Sequence, residues 1–253
     1  MKMDIKTYLI VLPGVFLAGL IDSIGGGGGL ISIPAYLMAG LPPHLAIGTN
    51  KFSAGFGTAL SAFRFYRKGF MDLKLALPAV ACAFVGSALG SRLSMIVAEG
   101  ILEKVMYVIL PIAAVAVLNK DAFTDRSETQ ELSRKKIIII SCVAALLIGC
   151  YDGFYGPGTG SFLIIAFTTL AKMDVTHANA QAKAINVTTN ITSMAVFLIG
   201  GQVILPLGIA AAALNMLGNY IGSSLAIKNG AKITRPVIII VLVLLFINVI
   251  TGV

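Results

Sequence analysis

Four ionisable residues stand within or beside long apolar stretches of this 253-residue sequence: Asp22, Lys51, Asp152 and Lys183. If those stretches cross a membrane, each buried charge costs on the order of 2.5–3.5 kcal/mol unless it is paired or faces water. A structural interpretation is that the four residues form ion pairs or reach the membrane surface. A functional interpretation is that they line a polar cavity, and we favour it because an acid and a base recur together.

A glycine-rich tract follows each of the two acids. Residues 25–29 are five consecutive glycines, and residues 155–159 read Tyr-Gly-Pro-Gly-Thr. Glycine costs about 1 kcal/mol relative to alanine inside a helix, and proline removes a helical hydrogen bond, so both tracts predict breaks. Helix packing alone is the alternative explanation, but packing needs small residues on only one face of a helix.

A helix that begins inside a membrane is suited to binding an anion. Its first amide groups lack helical acceptors, its dipole is positive at that end, and glycine lets an anion approach the backbone closely. Lysines add positive charge, and threonine and asparagine donate hydrogen bonds. The predicted substrate-binding residues are Gly25, Gly26, Gly27, Gly28, Gly29, Thr49, Asn50, Lys51, Gly156, Gly158, Thr159, Lys183 and Asn186.

The two acids, Asp22 and Asp152, are poorly placed to bind an anion directly, because like charges repel. Three roles remain for them: capping a helix start, pairing with the lysines, or taking up a proton. We therefore take Asp22 and Asp152 as candidates for proton coupling. The three cysteines lie singly in apolar runs without a metal-ligand spacing, so we expect no catalytic residue, metal or cofactor.

The composition identifies the solvent of this chain as lipid. Apolar residues make up 57% of it and charged residues only 12%, with a mean hydropathy of +0.93, against roughly 25% charged residues in soluble domains. This excludes a soluble enzyme, a disordered chain and a nucleic-acid-binding domain. The net charge of +8 lies in short clusters between apolar runs, as expected of loops at a membrane surface.

The sequence predicts an all-α, multi-pass membrane protein made of two repeats of about five helical segments each. Asp22 aligns with Asp152 and Lys51 with Lys183, at displacements of 130 and 132 positions, and the glycine-rich tracts align as well. We therefore divide the chain into a first repeat (1–118), a charged cytoplasmic linker (119–136) and a second repeat (137–253). The predicted segments are 8–24, 30–40, 46–63, 75–91, 105–118, 137–151, 160–171, 184–199, 203–227 and 237–253.

Basic residues predict the orientation, because loops rich in Lys and Arg stay in the cytoplasm. If each half crosses an odd number of times, the second repeat is inverted and most basic residues lie inside. We therefore expect inverted repeats with both termini outside, and glycine-rich broken or re-entrant helices near the membrane midplane.

The motifs resemble those of the sulfite exporter (TauE/SafE) family of bacterial membrane permeases. The resemblance rests on the Asp22-Ser-Ile-Gly-Gly-Gly-Gly-Gly-Leu stretch, Pro34, Ala46-Ile-Gly-Thr-Asn, Gly156-Pro-Gly-Thr-Gly and Lys183-Ala-Ile-Asn, and it covers nearly the whole chain. It implies a transporter in the cytoplasmic membrane for sulfur-containing anions such as sulfite or organosulfonates.

We therefore expect a secondary transporter of a small anion that works by alternating access. A passive anion channel shares the same sequence features. A membrane-embedded enzyme would need a convergent set of acids, histidines or nucleophiles, and the apolar segments lack it. The expected partners are a small anionic substrate, the lipid bilayer and protons, and the sequence is also compatible with a homo-oligomer or a subunit of a larger assembly.

Overall fold

The structure is a computed structural model that describes residues 4–98 and 132–251. Within these ranges the chain is helical and contains no strand. The helices are α1 (Ile5–Gly25), α2 (Gly29–Met38), α3 (Pro43–Arg67), α4 (Leu73–Ile96), α5 (Arg134–Phe154), α6 (Thr159–Thr169), α7 (Val175–Ile199), α8 (Leu205–Asn229) and α9 (Ala231–Thr251).

Five of these helices, α1, α4, α5, α7 and α8, are long and apolar enough to cross a membrane. Large apolar side chains also cover the outside, and Leu77 and Leu147 are each 65% exposed. Such a surface is stable where the surrounding solvent is hydrocarbon rather than water. The prediction of an all-α multi-pass membrane protein is confirmed.

The helix breaks occur where the glycine-rich tracts predict them. The first break separates α1 from α2, and the second separates α5 from α6. Gly26 and Gly27 have φ values of 79° and 83°, and Gly158, just before α6, has 85°. These values lie in the left-handed region, where glycine has no Cβ to clash. The predicted break between segments 184–199 and 203–227 is also present, because α7 ends at Ile199 and α8 begins at Leu205.

The predicted segments were too short where polar residues are buried. Helix α7 begins at Val175 instead of 184, and α3 begins at Pro43 instead of 46. The predicted segment began at residue 184 because Lys183 is charged, although the structure buries Lys183 completely, at 0% exposure. Segment 105–118 lies outside the described residues, as does most of the linker, whose last residues begin α5.

Two helix pairs join the first half of the chain to the second half. Helix α1 runs parallel to α8, with Val15 and Gly19 beside Asn215. Helix α4 runs parallel to α5, with Ser87 beside Gly153. The glycines allow the two backbones to approach closely in each pair.

Helices α3 and α7 lie at the centre and run antiparallel. A Cβ on Gly48 would lie 3.1 Å from the Cβ of Phe197, near the start of α3 and the end of α7. Further along α3, Thr58 accepts a hydrogen bond from Asn190 at 3.4 Å. Lys51 in α3 contacts α5 of the second half, and Lys183 in α7 contacts α1 of the first half.

Helix α2 doubles back along α1 after the first break. A Cβ on Gly28 would lie 2.8 Å from the Cβ of Asp22, and one on Gly14 would lie 2.7 Å from that of Ala35. At 1.5 Å per residue, the ten residues of α2 span about 15 Å, or half of a hydrocarbon core of about 30 Å. The start of α2 lies inside the protein, where Gly28 is buried against Ala18 and Asp22 of α1.

Candidate functional site

The two helix breaks contact each other inside the protein. A Cβ on Gly26 would lie 2.6 Å from the Cα of Gly160, and one on Gly29 would lie 3.3 Å from the Cα of Pro157. Ser161 Oγ donates a hydrogen bond to the Gly25 carbonyl at 2.7 Å. Helices α2 and α6 therefore begin side by side, although their sequences are more than a hundred residues apart.

Backbone amides at both helix starts lack protein acceptors. Across the described residues, the N–H groups of Gly27, Gly28 and Gly29 at the start of α2, and those of Gly160 and Ser161 in α6, donate no hydrogen bond to a protein group. Buried amides are normally paired, so donors at this depth need a polar ligand or water. Both sets of amides belong to residues that adjoin the contact between the two breaks.

The first ion pair joins α3 to α5. Lys51 Nζ lies 2.8 Å from Asp152 Oδ1, and their side chains are only 3% and 6% exposed. Thr159 Oγ1 is within hydrogen-bond distance of the same Oδ1, at 2.8 Å, and of the Gly156 carbonyl, at 2.7 Å. The other carboxylate oxygen, Asp152 Oδ2, is buried and has no hydrogen-bond partner among the described residues.

The second ion pair joins α7 to α1. Lys183 Nζ lies 3.0 Å from Asp22 Oδ2 and also donates to the Asp22 carbonyl. Lys183 is 0% exposed, whereas the Asp22 side chain is 19% exposed. Both lysines are therefore paired with an acid from the opposite half, a choice of partner that sequence alignment of the two halves does not reveal.

A cavity of about 40 Å³ lies between the two breaks and the central helices. A buried water needs about 10–15 Å³ by this measure, so there is room for a few waters or for one small oxyanion. The lining residues are Ala18, Asp22, Gly27, Gly28, Gly29, Ser32, Asn50, Lys51, Ala54, Thr58, Asp152, Gly156, Thr159, Gly160, Asn186, Asn190 and Asn215.

Most of the residues predicted from sequence line this cavity, but five do not. Gly25 packs against Ile238, and Gly26 packs against Gly160. Gly158 adopts the left-handed conformation that starts α6. Lys183 lies behind Asp22, and Thr49 accepts a hydrogen bond from the Ile204 amide at 3.1 Å.

Several polar lining residues were missed in the sequence, namely Ser32, Thr58, Asn190 and Asn215. Ser32 Oγ donates to Asn50 Oδ1 at 2.6 Å. The available signal was an uncharged polar side chain inside an apolar segment, which also needs a partner at membrane depth. The amide and hydroxyl residues predicted from sequence lie within a glycine-rich tract or within three residues of Lys51 or Lys183, and none of these four does.

The charges at the site balance to zero. Two lysines face two aspartates, so an anion meets no net positive charge from side chains. The attraction that remains comes from unpaired amides and from the positive ends of α2 and α6.

Comparisons with known proteins identify the family of this chain. The family model described as Sulfite exporter TauE/SafE matches residues 11–249. The chain is 38% identical over 252 residues to a probable membrane transporter protein, ORF9, of a Sinorhizobium species, covering 98% of this chain and 95% of that protein. It is 35% identical over 240 residues to a probable membrane transporter protein of Haemophilus influenzae, covering 95% and 93%.

A third relative is the probable membrane transporter protein YfcA of Escherichia coli, 36% identical over 226 residues, covering 89% of this chain and 82% of that protein. No solved structure matches the chain. These relatives are named as transporters, in agreement with the prediction that the chain is not an enzyme. Because the match covers nearly its full length, this multi-pass membrane protein belongs to the TauE/SafE family of membrane transporters.

Proposed function

We propose that the chain moves a small sulfur oxyanion, sulfite or a short organosulfonate, across the cell membrane through the cavity between α2 and α6. The observation that carries the proposal is that both helices start at one cavity with unpaired amide groups. Sulfite follows from the family description, and the size of the cavity favours an ion with few heavy atoms.

Opposite chain directions support alternating access between two inverted halves. Helix α1 is parallel to α8 and α4 is parallel to α5, whereas α3 and α7, which occupy equivalent places in the two halves, are antiparallel. In an inverted repeat, each half presents the same surface to opposite sides of the membrane. Rocking one half against the other then exposes the cavity to each side in turn.

Basic residues gather at one end of the helices and support an orientation with both termini outside. Arg64 near the end of α3 donates to the Tyr220 carbonyl in α8 at 2.7 Å, and Arg134 at the start of α5 pairs with Asp72 before α4. Loops rich in Lys and Arg stay on the cytoplasmic side of a membrane. The basic residues at this end are Arg64, Arg67, Lys68, Lys74, Arg134, Lys135, Lys136, Lys172 and Lys228.

Flux of labelled sulfite into proteoliposomes tests this proposal. The purified chain should take up sulfite faster than empty liposomes, and a proton gradient should drive its accumulation above the external concentration. Equilibration without accumulation under any gradient would favour a passive channel. No flux of sulfite or of short sulfonates such as methanesulfonate would overturn the proposal.

A glycine variant tests whether the substrate passes through the cavity. Gly29→Ala adds a methyl group at the start of α2, where the nearest heavy atom of the opposite break, the Cα of Pro157, would lie 3.3 Å away. We expect a strong decrease in sulfite flux with normal insertion. Gly55→Ala is the control, because its Cβ would meet only the Cβ of Asn190 at 3.9 Å and Gly55 does not line the cavity.

A further inference from the structure

The buried charges set a requirement on what the cavity binds. The cavity and the residues behind it hold two cations, Lys51 and Lys183, and two acids, Asp22 and Asp152. With all four ionised, the site is neutral when empty and carries one negative charge when a monoanion enters. A net charge at this depth is costly, because the surrounding medium is weakly polar.

Resting on the transport function proposed above, we infer that one proton enters with each monoanion and is held on Asp152 Oδ2, so that the loaded site is neutral again. The step breaks one O–H bond of a hydronium ion, which leaves water, and forms one O–H bond on the carboxylate oxygen. The proton comes from the aqueous side that supplies the anion and leaves with the anion on the other side. Lys51 then serves the anion as its counter-ion.

Asp152 is the acid whose geometry suits this role. Its Oδ1 contacts both Lys51 Nζ and Thr159 Oγ1, while its Oδ2 is buried and has no partner in the part of the chain that the structure describes. A proton can therefore add to Oδ2 without displacing an existing hydrogen bond. Asp22 differs, because Oδ2 is bound by Lys183 and the side chain is 19% exposed, which allows hydration of the ionised form.

The other groups around Asp152 do not replace this proton. Lys51 faces it from α3, and Asp22 is the other acid at the cavity. In α5, the Tyr151 hydroxyl already donates a hydrogen bond to the Pro157 carbonyl at 2.6 Å. Tyr155, just after α5, lies in an apolar cluster. Helix α4 presents small residues to this part of α5, with Ser87 against Gly153.

The inference predicts that the wild-type chain transports a monoanionic sulfur oxyanion, such as hydrogensulfite or methanesulfonate, electroneutrally. In proteoliposomes clamped at two potentials with potassium and valinomycin, steady-state accumulation at a fixed pH gradient should differ by less than twofold. An anion that crosses without a proton redistributes with the potential, by about tenfold or more between strong clamps of opposite sign. Flux that follows the potential and ignores the pH gradient would overturn the inference while leaving anion transport established.

The variant Asp152→Asn mimics the protonated acid permanently. Its sulfite flux should persist, lose its dependence on the pH gradient and follow the clamped potential. Should this variant be too unstable to reconstitute, the wild-type clamp experiment still decides. Coupled, electroneutral flux in Asp152→Asn would show that the proton is held elsewhere and would overturn the inference.

Asp174→Asn is the matched control. It makes the same chemical change at an exposed residue that caps α7 by accepting from the Thr176 and His177 amides, both at 3.1 Å. Asparagine also caps helices well, so folding is preserved. This control should keep wild-type coupling. Absence of sulfite flux in the wild-type chain is a different result, because it would overturn the transport proposal itself.

Discussion

Lys51 and Asp152 form a buried ion pair at 2.8 Å that links helix α3 of the first half to helix α5 of the second half. The reciprocal pair of Lys183 and Asp22 links the second half back to the first, at 3.0 Å. Each half therefore supplies one acid and one base to the other. Removing a single partner leaves the remaining charge buried without compensation.

We expect Lys51→Met to lower the stability of the folded protein by about 3–5 kcal/mol, the usual cost of orphaning a buried charge. The double variant Lys51→Met with Asp152→Asn removes both charges and should recover most of this loss. The measurement is the apparent melting temperature in detergent at neutral pH. A double variant no more stable than Lys51→Met would show that the two charges are not coupled.

Two threonines predicted from sequence as ligands now have different expected roles. Thr159 lines the cavity beside Asp152, whereas Thr49 is fully buried away from it and holds the Ile204 amide. We expect Thr159→Val to decrease sulfite flux per folded molecule by about tenfold, equivalent to about 1.4 kcal/mol for one lost charge-assisted hydrogen bond.

Thr49→Val should instead lower the melting temperature and leave the flux per folded molecule within twofold of wild type. The paired measurement is radiolabelled flux normalised to the amount of reconstituted protein. Equal flux for Thr159→Val and the wild type would remove the Thr159 hydroxyl from the site.

The contact between the two breaks requires glycine at position 26. Gly26 and Gly69 share a φ of 79°, but a Cβ on Gly26 would strike the Gly160–Ser161 backbone, whereas one on Gly69 would meet nothing within 4 Å. A positive φ costs an alanine at either position at least about 1–2 kcal/mol, and the cost is higher at Gly26, because its ψ of −177° lies in a region that is essentially restricted to glycine. Only Gly26→Ala must also separate α2 from α6.

We therefore expect Gly69→Ala to be folded and active, with a small decrease in melting temperature. Gly26→Ala should give little folded protein, or folded protein without flux. Size-exclusion profiles of the detergent extracts, followed by flux assays, compare the two. Similar behaviour of both variants would mean that backbone conformation, and not the contact between the breaks, limits this position.

The orientation can be tested with single cysteines at the two ends of the bundle. In a background where Cys82, Cys142 and Cys150 are replaced by Ala or Ser, Lys6→Cys should react with an impermeant maleimide in intact cells. Lys68→Cys, an exposed residue after α3, should react only in inside-out vesicles. The reverse pattern would place the termini in the cytoplasm.

Composition and local motifs alone were enough to predict a lipid environment, an all-α fold and the positions of both helix breaks. Hydropathy indicated lipid, and five adjacent glycines and a Gly-Pro-Gly tract cannot remain helical in competition with other conformations. The duplication also indicated that Asp22 and Asp152, like Lys51 and Lys183, have equivalent places in the two halves. These are properties of local composition and of alignment, so a linear sequence carries them.

Which charges pair and which residues line the cavity depend on how the helices pack, and the sequence did not predict either. Lys51 pairs with Asp152 rather than with Asp22, which is nearer in the sequence, because α3 packs against the other half of the chain. Thr49 is adjacent to Asn50 in sequence but bonds the Ile204 amide, whereas Asn50, Ala54 and Thr58 line the cavity at the four-residue spacing of one helix face. Partners across a helix bundle depend on packing over more than a hundred residues, and neither hydropathy nor spacing records that packing.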